Sequence, residues 1–459
     1  MPYETITLVL GLQGWFAQAL TVHRGREVRI HLERNLPFHV CAQCGTKTTK
    51  RYDHSIRELR DLSLSGKAVY LYVPQWRIVC PTCKGVVSER LDLCDPDQVM
   101  TRRYERHIAA LCEQMSLQAV AKQEGLSWST VKRIDRKYLE LRNEARQFGE
   151  VRKLCIDEVA YRKGHRYLTV VSDYETRNVI WVGKGRDKAA VAAFFEALGL
   201  EKTARIECAA MDMSKTYIAA VAEAAPQAFI VYDRFHIMKY VNAAVDQVRR
   251  DEQKAADQAG QELLKNKRYV LLHREKNLTE KQQVSLQELC SLNQNIAISH
   301  LLKEDFCQLF ECQDTVEAAY FLDGWLHRAQ DSKLEPFGKL CEQLDRWRDG
   351  LLNYFVHRIA NGLAEAINNN INVLKRAARG FRDLEYFMLK ILQRCGGLPP
   401  LGACPSNRVI AFGLDIGPDM TLNGRHEQDL SPLECGSGDA AAAVGAGASA
   451  GRASSPFRA

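Results

Sequence analysis

The sequence predicts a multidomain α+β protein, and three observations carry that expectation. Strand-type alternation near the N-terminus is interrupted by two Cys-x-x-Cys pairs, Cys41/Cys44 and Cys80/Cys83. Residues 100–146 then switch to helical periodicity around a Gly-containing turn. From residue 153 short apolar strands alternate with helices, and from about 240 helical patterns dominate. The predicted segments are 1–95, 96–148, 149–240, 241–355, 356–398 and a tail, 399–459.

A chain of 459 residues is too long for one small domain, and 46% apolar content is ordinary for a globular protein. The net charge of +7 only hints at a polyanionic partner; where the charge sits matters more. No apolar run reaches the length of a membrane span, and the start, Met-Pro-Tyr-Glu, lacks the basic stretch of a signal peptide. Most of the 15 cysteines are therefore expected as buried thiols in a reducing cytoplasm.

Four of them are the exception. The chain is expected to open with strands; 27–33 alternates apolar and polar residues, and 67–73 reads as another strand after a turn at Gly66. Cys41-Ala-Gln-Cys44-Gly and Cys80-Pro-Thr-Cys83-Lys-Gly are knuckles that can each turn two sulfurs toward one metal. Together they fit a tetrahedral four-thiolate zinc site, with a redox Cys-x-x-Cys as the plainer alternative. Four protein ligands leave no open position, so such a zinc is structural. The gap between the pairs is long, so a hairpin must bring them together. His39 and His54 read as surface histidines rather than ligands.

In 100–146, Ile108, Leu111, Cys112 and Met115 recur at helical steps, and Leu117, Val120 and Ala121 continue the apolar face. Gly125-Leu126-Ser127 makes a turn, and Ser127 or Ser129 can cap the next helix. That helix has Val131, Ile134, Tyr138 and Leu141 on one side and Lys132, Arg133, Arg136 and Lys137 largely on the other. The pattern is that of a helix-turn-helix, in which Trp128, Ser129, Thr130 and Arg133 reach base edges and the basic side chains meet phosphates. An ordinary helical hairpin with a solvated basic face is the alternative.

From 153 the order is three strands, a helix, a strand, a helix and a strand, which describes a ribonuclease-H-like fold. In that fold the first and fourth strands are neighbours, so Asp157 and Asp212, read as strand-end residues, would meet. Two adjacent carboxylates suit Mg²⁺, and paired ions can activate an oxygen nucleophile and stabilise the leaving oxygen of a phosphodiester attack. Capping of loops by two unrelated Asp residues is the alternative. Glu158 is expected on the opposite side of its strand. Asp233 and His236, an Asp-x-x-His pair after the fifth strand, could brace the site or contact DNA, against a solvated turn.

The stretch 241–355 carries no chemical motif and reads as an all-helical insertion. Beyond it, Leu363, Ile367, Ile371 and Leu374 form a core stripe, and Glu365 lies off it with Asn361, Asn368, Asn369, Asn372 and Arg376. Glu365 could complete a metal site. Lys375, Arg376, Arg379 and Arg382 form a basic cluster that could track a DNA strand or be a solvated helix end. The tail loses periodicity after Pro399, turns Ala/Gly/Ser-rich from Gly436, and is expected to be disordered.

These features together resemble the transposases of the bacterial insertion-sequence family called ISL-three, over roughly residues 1–395. The resemblance rests on the paired cysteines, the helix-turn-helix, Ile156-Asp157-Glu158, Met211-Asp212-Met213, Asp233-Arg-Phe-His236, Asn361-Gly-x-x-Glu365, and Lys375-Arg376 leading to Gly380-Phe381. It implies an Asp-Asp-Glu transposase with Asp157, Asp212 and Glu365 on two Mg²⁺ or Mn²⁺ ions. It also implies terminal inverted repeats and target double-stranded DNA as ligands, a homo-oligomeric active complex, and a bacterial cytoplasmic location at the nucleoid. Two rivals remain: a transposase-derived DNA-binding regulator without catalysis, and a nuclease of the same fold.

Overall fold

The computed structural model describes residues 2–162, 164, 166–359 and 362–401. The expected disordered tail lies outside the described residues from 402 onward, as does Asn361. The chain opens with a helix, α1 (Pro2–Leu10), where a strand was expected. Pro2 suits a first helical turn, and Ile6 and Leu10, one turn apart, pack onto the following sheet.

The sheet comprises β1 (Trp15–His23), β2 (Glu27–Arg34), β5 (Arg51–Leu64) and β6 (Lys67–Cys80) in the order β1-β2-β6-β5. Two short strands, β3 (His39–Val40) and β4 (Lys47–Thr48), pair with each other, and β7 (Gly85–Ser88) pairs with the far end of β6. The β5–β6 hairpin has two 14-residue arms joined at Ser65 and Gly66, both at positive φ as a tight primed turn requires. One end of it packs on Trp15, Ile30, Leu59 and Leu71; the other carries Cys80 toward Cys41.

Three helices follow: α2 (Arg102–Gln114), α3 (Leu117–Glu124) and α4 (Trp128–Glu144). Gly125 ends α3 in the left-handed region, and Ser127 caps α4, its hydroxyl accepting from the Thr130 N–H at 3.1 Å. Tyr104, Ile108, Val120, Val131 and Ile134 form their shared core.

The second sheet holds β8 (Lys153–Arg162), β9 (Arg166–Asp173), β10 (Val179–Lys184), β11 (Cys208–Met211) and β12 (Phe229–Tyr232), in the order β10-β9-β8-β11-β12. β10, β9 and β8 pair antiparallel; β8, β11 and β12 pair parallel. Helices α5 (Lys188–Leu198) and α7 (Lys215–Ala224) pack together on one face through Val191, Phe194, Tyr217 and Val221. The fourth strand is shorter than its apolar pattern, because a helical turn, α6 (Leu200–Thr203), precedes it.

Among the described residues, everything between β12 and residue 358 is helical. The elements are α8 (Arg234–Ala255), α9 (Gln258–Leu264), α10 (Arg268–Leu272), α11 (Glu280–Leu292), α12 (Gln294–Gln308), α13 (Thr315–Asp331), α14 (Glu335–Arg346) and α15 (Arg348–His357), with two short 3-10 turns. They have their own core around fully buried Trp325, Phe306 and Phe337. The indole N–H of Trp325 donates to the Leu302 carbonyl at 2.9 Å, which satisfies its one polar group. α15 lies against β12, and a Cβ at Gly350 would sit 2.4 Å from the Tyr232 ring. Gly350→Val is therefore expected to cost about 2 kcal/mol or more by overpacking, read as a lower midpoint in urea unfolding. An unchanged midpoint would mean that this helix does not press on the strand.

Helices α16 (Gly362–Ala377) and α17 (Leu384–Arg394) close the sheet's other face. Ile367 and Ile371 of the expected stripe are buried there against Val159, Leu168 and Phe387.

Candidate active site and metal centre

Strand register brings three acids to one sheet edge. Cys155 of β8 pairs with Ala210 of β11, so Asp157 and Asp212 stand two residues beyond partnered positions. Met211 pairs with Tyr232, so Asp233 follows at the same level, its N–H donating to the Met211 carbonyl at 3.1 Å. Asp212 and Asp233 leave their strands as expected. Asp157 does not: β8 continues to Arg162, paired with β9 through Asp157 opposite Val170. The edge at Asp157 arises because β11 ends, not because β8 does.

Each acid is fixed locally. Asp212 Oδ1 accepts from the Ser214 N–H at 3.0 Å. Asp233 caps α8, accepting from the Phe235 N–H at 3.1 Å and from His236 Nδ1 at 2.8 Å. Asp157 accepts from the Glu158 N–H at 2.8 Å and from Asn368 Nδ2 at 2.8 Å. Asn368 sits on α16 one turn after Glu365, so the two share a helix face. Glu365 is exposed, while Asn368 Oδ1 is buried without a hydrogen-bond partner.

Electrostatics bind the group together. Burial pushes the Asp157 carboxyl up to about 6, with Asp212 and Asp233 adding to the rise and His236 opposing it. The hydrogen bond to Asp233 raises His236, favouring its charged form beside these acids. Glu158, expected to be a bystander, is raised by burial, pairs with Arg186 at 3.6 Å, and feels both Asp212 and His236. Asn368 had no assigned role in the sequence reading. Its three-residue spacing from Glu365 was the available signal.

The four cysteines form the tighter centre. Their sulfurs lie within 4.8 Å of one another, with Cys41–Cys83 at 3.8 Å and Cys44–Cys80 at 3.4 Å. Tetrahedral thiolates on zinc stand about 3.8 Å apart for bonds of about 2.3 Å. Thr46 beside Cys44 lowers that thiol to about 6, whereas its sulfur neighbours, Cys44 first, push Cys83 up to about 12. His54 is exposed as expected, but His39 is buried: its ring meets Glu89 at 2.6 Å and accepts from Arg51 at 2.8 Å. It is a buried bridge beside the cluster rather than a surface residue.

On α4, Trp128, Ser129 and Arg133 are exposed and Thr130 is half-buried. The basic residues, Arg133 included, are engaged within the chain: Arg133 donates to Gln98 Oε1 at 2.9 Å and lies 3.9 Å from Glu105. Lys132 and Arg136 each contact Asp383 at 3.0 Å, and Lys137 holds Asp95 at 2.6 Å and Glu105. Buried Asp135 on the same helix accepts from Tyr386 and pairs with Lys390 at 3.2 Å. The helix-turn-helix is thus tied to α17. Asp383 also caps α17, accepting from the Tyr386 N–H at 3.1 Å. Asp383→Ala is expected to cost about 1–2 kcal/mol in chemical unfolding, as a lost cap and two half-exposed ion pairs. In the second basic cluster, Lys375 donates to the Ala160 carbonyl at 2.8 Å, Arg376 to Asn372 at 3.3 Å, and Arg379 is exposed.

Comparison with known proteins places the chain in a family. Residues 154–391 match a family described as "Transposase", 89–139 a "Helix-turn-helix domain of transposase family ISL3", and 37–83 a "zinc-finger of transposase IS204/IS1001/IS1096/IS1165". The chain belongs to the ISL3 family of transposases. It is 34% identical over 394 residues to a protein named "Transposase for insertion sequence element IS1001" from Bordetella parapertussis, covering 84% of this chain and 97% of the relative. It is 29% identical over 388 residues to the transposase for IS1557 of Mycobacterium tuberculosis, covering 79% and 87%. The zinc-finger match spans all four clustered cysteines and supports a structural zinc. The helix-turn-helix match spans α2 and α3 and most of α4, in keeping with a DNA-binding ISL3 protein. No described helix is long and apolar enough to cross a membrane.

Proposed function

We propose that this ISL3 protein is an Asp-Asp-Glu transposase. In this reading it binds the terminal inverted repeats of its insertion sequence, cuts at the element ends and joins them to target DNA. The observation that carries the reading is the hydrogen bond from Asn368 to Asp157, made where Asp157 and Asp212 share one sheet edge. It ties α16, with Glu365 one turn earlier, to the acids. The strand order β10-β9-β8-β11-β12 supports a ribonuclease-H-like core, and α8–α15 then constitute a helical insertion between its fifth strand and the helix of Glu365. Domain limits at 1–95, 96–148, 149–240, 241–355 and 356–398 follow.

The acids fit divalent cations chemically. They are hard oxygen donors, their charges oppose one another at Asp157, and Asn368 leaves an unpaired buried oxygen beside them. The acids do not form as tight a group as the cysteines. A pair of ions about 3.5–4 Å apart spreads its carboxylates wider than a single ion does. When bound, Mg²⁺ or Mn²⁺ would activate the attacking oxygen and stabilise the leaving one. Asp157, Asp212 and Glu365 would hold the ions, Asn368 would orient Asp157, and Asp233 would hold His236 charged where it can meet a phosphate. Trp128, Ser129, Thr130 and Arg133 would read DNA. Lys132, Arg136, Lys137, Lys375, Arg376 and Arg379 would meet phosphates to the extent that their internal partners release them. A homo-oligomer acting in the bacterial cytoplasm completes the proposal.

The test is a cleavage and strand-transfer assay with Mg²⁺ or Mn²⁺ on DNA carrying the element ends. Wild type should cut and join, and Glu365→Ala should do neither while still binding the ends. Cutting without joining would favour a nuclease. Full activity in Glu365→Ala would remove that residue from the site.

A further inference from the structure

Resting on that reading of the acids, we infer that Phe235 is a stacking platform for a DNA base unpaired next to the scissile phosphate. Phe235 occupies the first turn of α8, between the cap Asp233 and His236. The residue is 62% exposed although α8 is a long, well-packed helix whose Ile237, Val241 and Val245 are buried. A lone exposed apolar residue is ordinary. The surroundings of this one are not.

The backbone N–H of Phe235 donates to Asp233 Oδ1, and the ring stands edge-on to the His236 imidazole at 5.6 Å. Both contacts fix the aromatic beside the candidate catalytic edge. The next exposed position on the same face, one turn on, is Lys239, and Lys215 is exposed at the start of α7, three residues after Asp212. One cation therefore lies a turn along the same helix and another close in sequence to Asp212, both suited to a phosphate backbone. An exposed ring among cations is the pattern that receives unpaired bases, because every base offers a flat face whatever its identity. Double-stranded DNA offers no such face. The end must open by at least one pair for Phe235 to be covered, and opening would also bend the backbone toward the acids.

The experiment compares full-length wild type with Phe235→Ala, Phe235→Leu and Phe235→Trp on two DNAs: the paired element end, and the same end mismatched at the base pair beside the cut. Because the ring is exposed, the variants should fold, and their melting temperatures check this. Phe235→Ala and Phe235→Leu are expected to cut the paired end about 10- to 100-fold more slowly, the loss typical of one base stack. Binding of the end, set by the helix-turn-helix, should stay within about twofold of wild type. Phe235→Trp should restore the rate, and the mismatch should rescue Phe235→Ala. A 2-aminopurine at the opened position should change fluorescence on wild type and not on Phe235→Ala. Equal rates for wild type and Phe235→Ala on the paired end, or no rescue by the mismatch, would overturn the inference and leave the transposase site standing. Wild type inert on both DNAs would overturn the site and this inference with it.

Discussion

Asp157→Asn is expected to abolish strand cleavage while leaving the Mg²⁺-free protein at least as stable as wild type near neutral pH. The two halves have one cause. Asp157 is largely buried, and burial first, then Asp212 and Asp233, raise its carboxyl from 3.8 to about 6. Between about pH 4 and 6 the folded state therefore holds a proton that the unfolded state has lost. Stability falls as pH rises through that window, and the penalty is fully present above it. That rise corresponds to about 3 kcal/mol.

The amide removes that penalty and keeps the hydrogen bonds. One oxygen still accepts from the Glu158 N–H. The new amide nitrogen can donate to Asn368 once that side chain turns its unpaired Oδ1 inward. Thermal unfolding without Mg²⁺, zinc retained, should show the variant melting higher than wild type at about pH 7.5. The gap should close as pH falls toward 4. Cleavage should drop by about a thousandfold or more, because a neutral amide is a poor partner for the cations and several kcal/mol of transition-state stabilisation go with them. A variant that melts well below wild type at neutral pH would show that the charge is compensated in the folded chain. One that cuts normally would remove Asp157 from the site.

Most of the strand-level architecture was legible. Short apolar runs placed the five strands of the second sheet, and reading their order as a ribonuclease-H-like arrangement put the first strand beside the fourth, as β8 and β11 are. What escaped the sequence depended on distant partners. Nothing near Asp157 announces that β8 runs on, because its outer half is held by β9 rather than β11. The basic side of α4 looked uniformly free, yet Lys132 and Arg136 meet Asp383, separated by about 250 positions. His39 looked like a surface histidine because Glu89 and Arg51, which bury it, are strangers in sequence. Periodicity put Glu365 off the core stripe of its helix, where it is exposed, but the Asn368 contact with Asp157 was not legible from it.

The largest structural effect is expected from Cys80→Ser. Zinc analysis should fall from one equivalent per chain to none, and the far end of the β5–β6 hairpin should lose its order. The two ends of that hairpin are held by different means. Near the turn, Leu59 and Leu71 join Trp15, Val28 and Ile30 in an apolar core that requires no metal. At the other end the buried apolar set is only Cys41, Ile78 and Cys80, with Trp76 and Val87 partly buried alongside, and the β5 residues Arg51–Ile56 are exposed. So small a cluster cannot offset the ordering of its loops. In free-standing zinc fingers the metal supplies about 10–16 kcal/mol of apparent binding energy to the same task. Loss of zinc should therefore melt this end locally. Amides of β3, β4 and β7, and the Cys41 and Gly45 N–H groups that close the first knuckle, should exchange at nearly unfolded rates. The core of β1, β2 and the inner halves of β5 and β6 should stay protected. Buried Glu89, held by His39 and by Arg34 at 2.9 Å, lies on the boundary and should mark where protection returns. Hydrogen exchange read by mass spectrometry resolves these segments. A Cys80→Ser protein that keeps one zinc, or that loses it with no change in exchange at β3, β4 and β7, would refute a structural role for the metal.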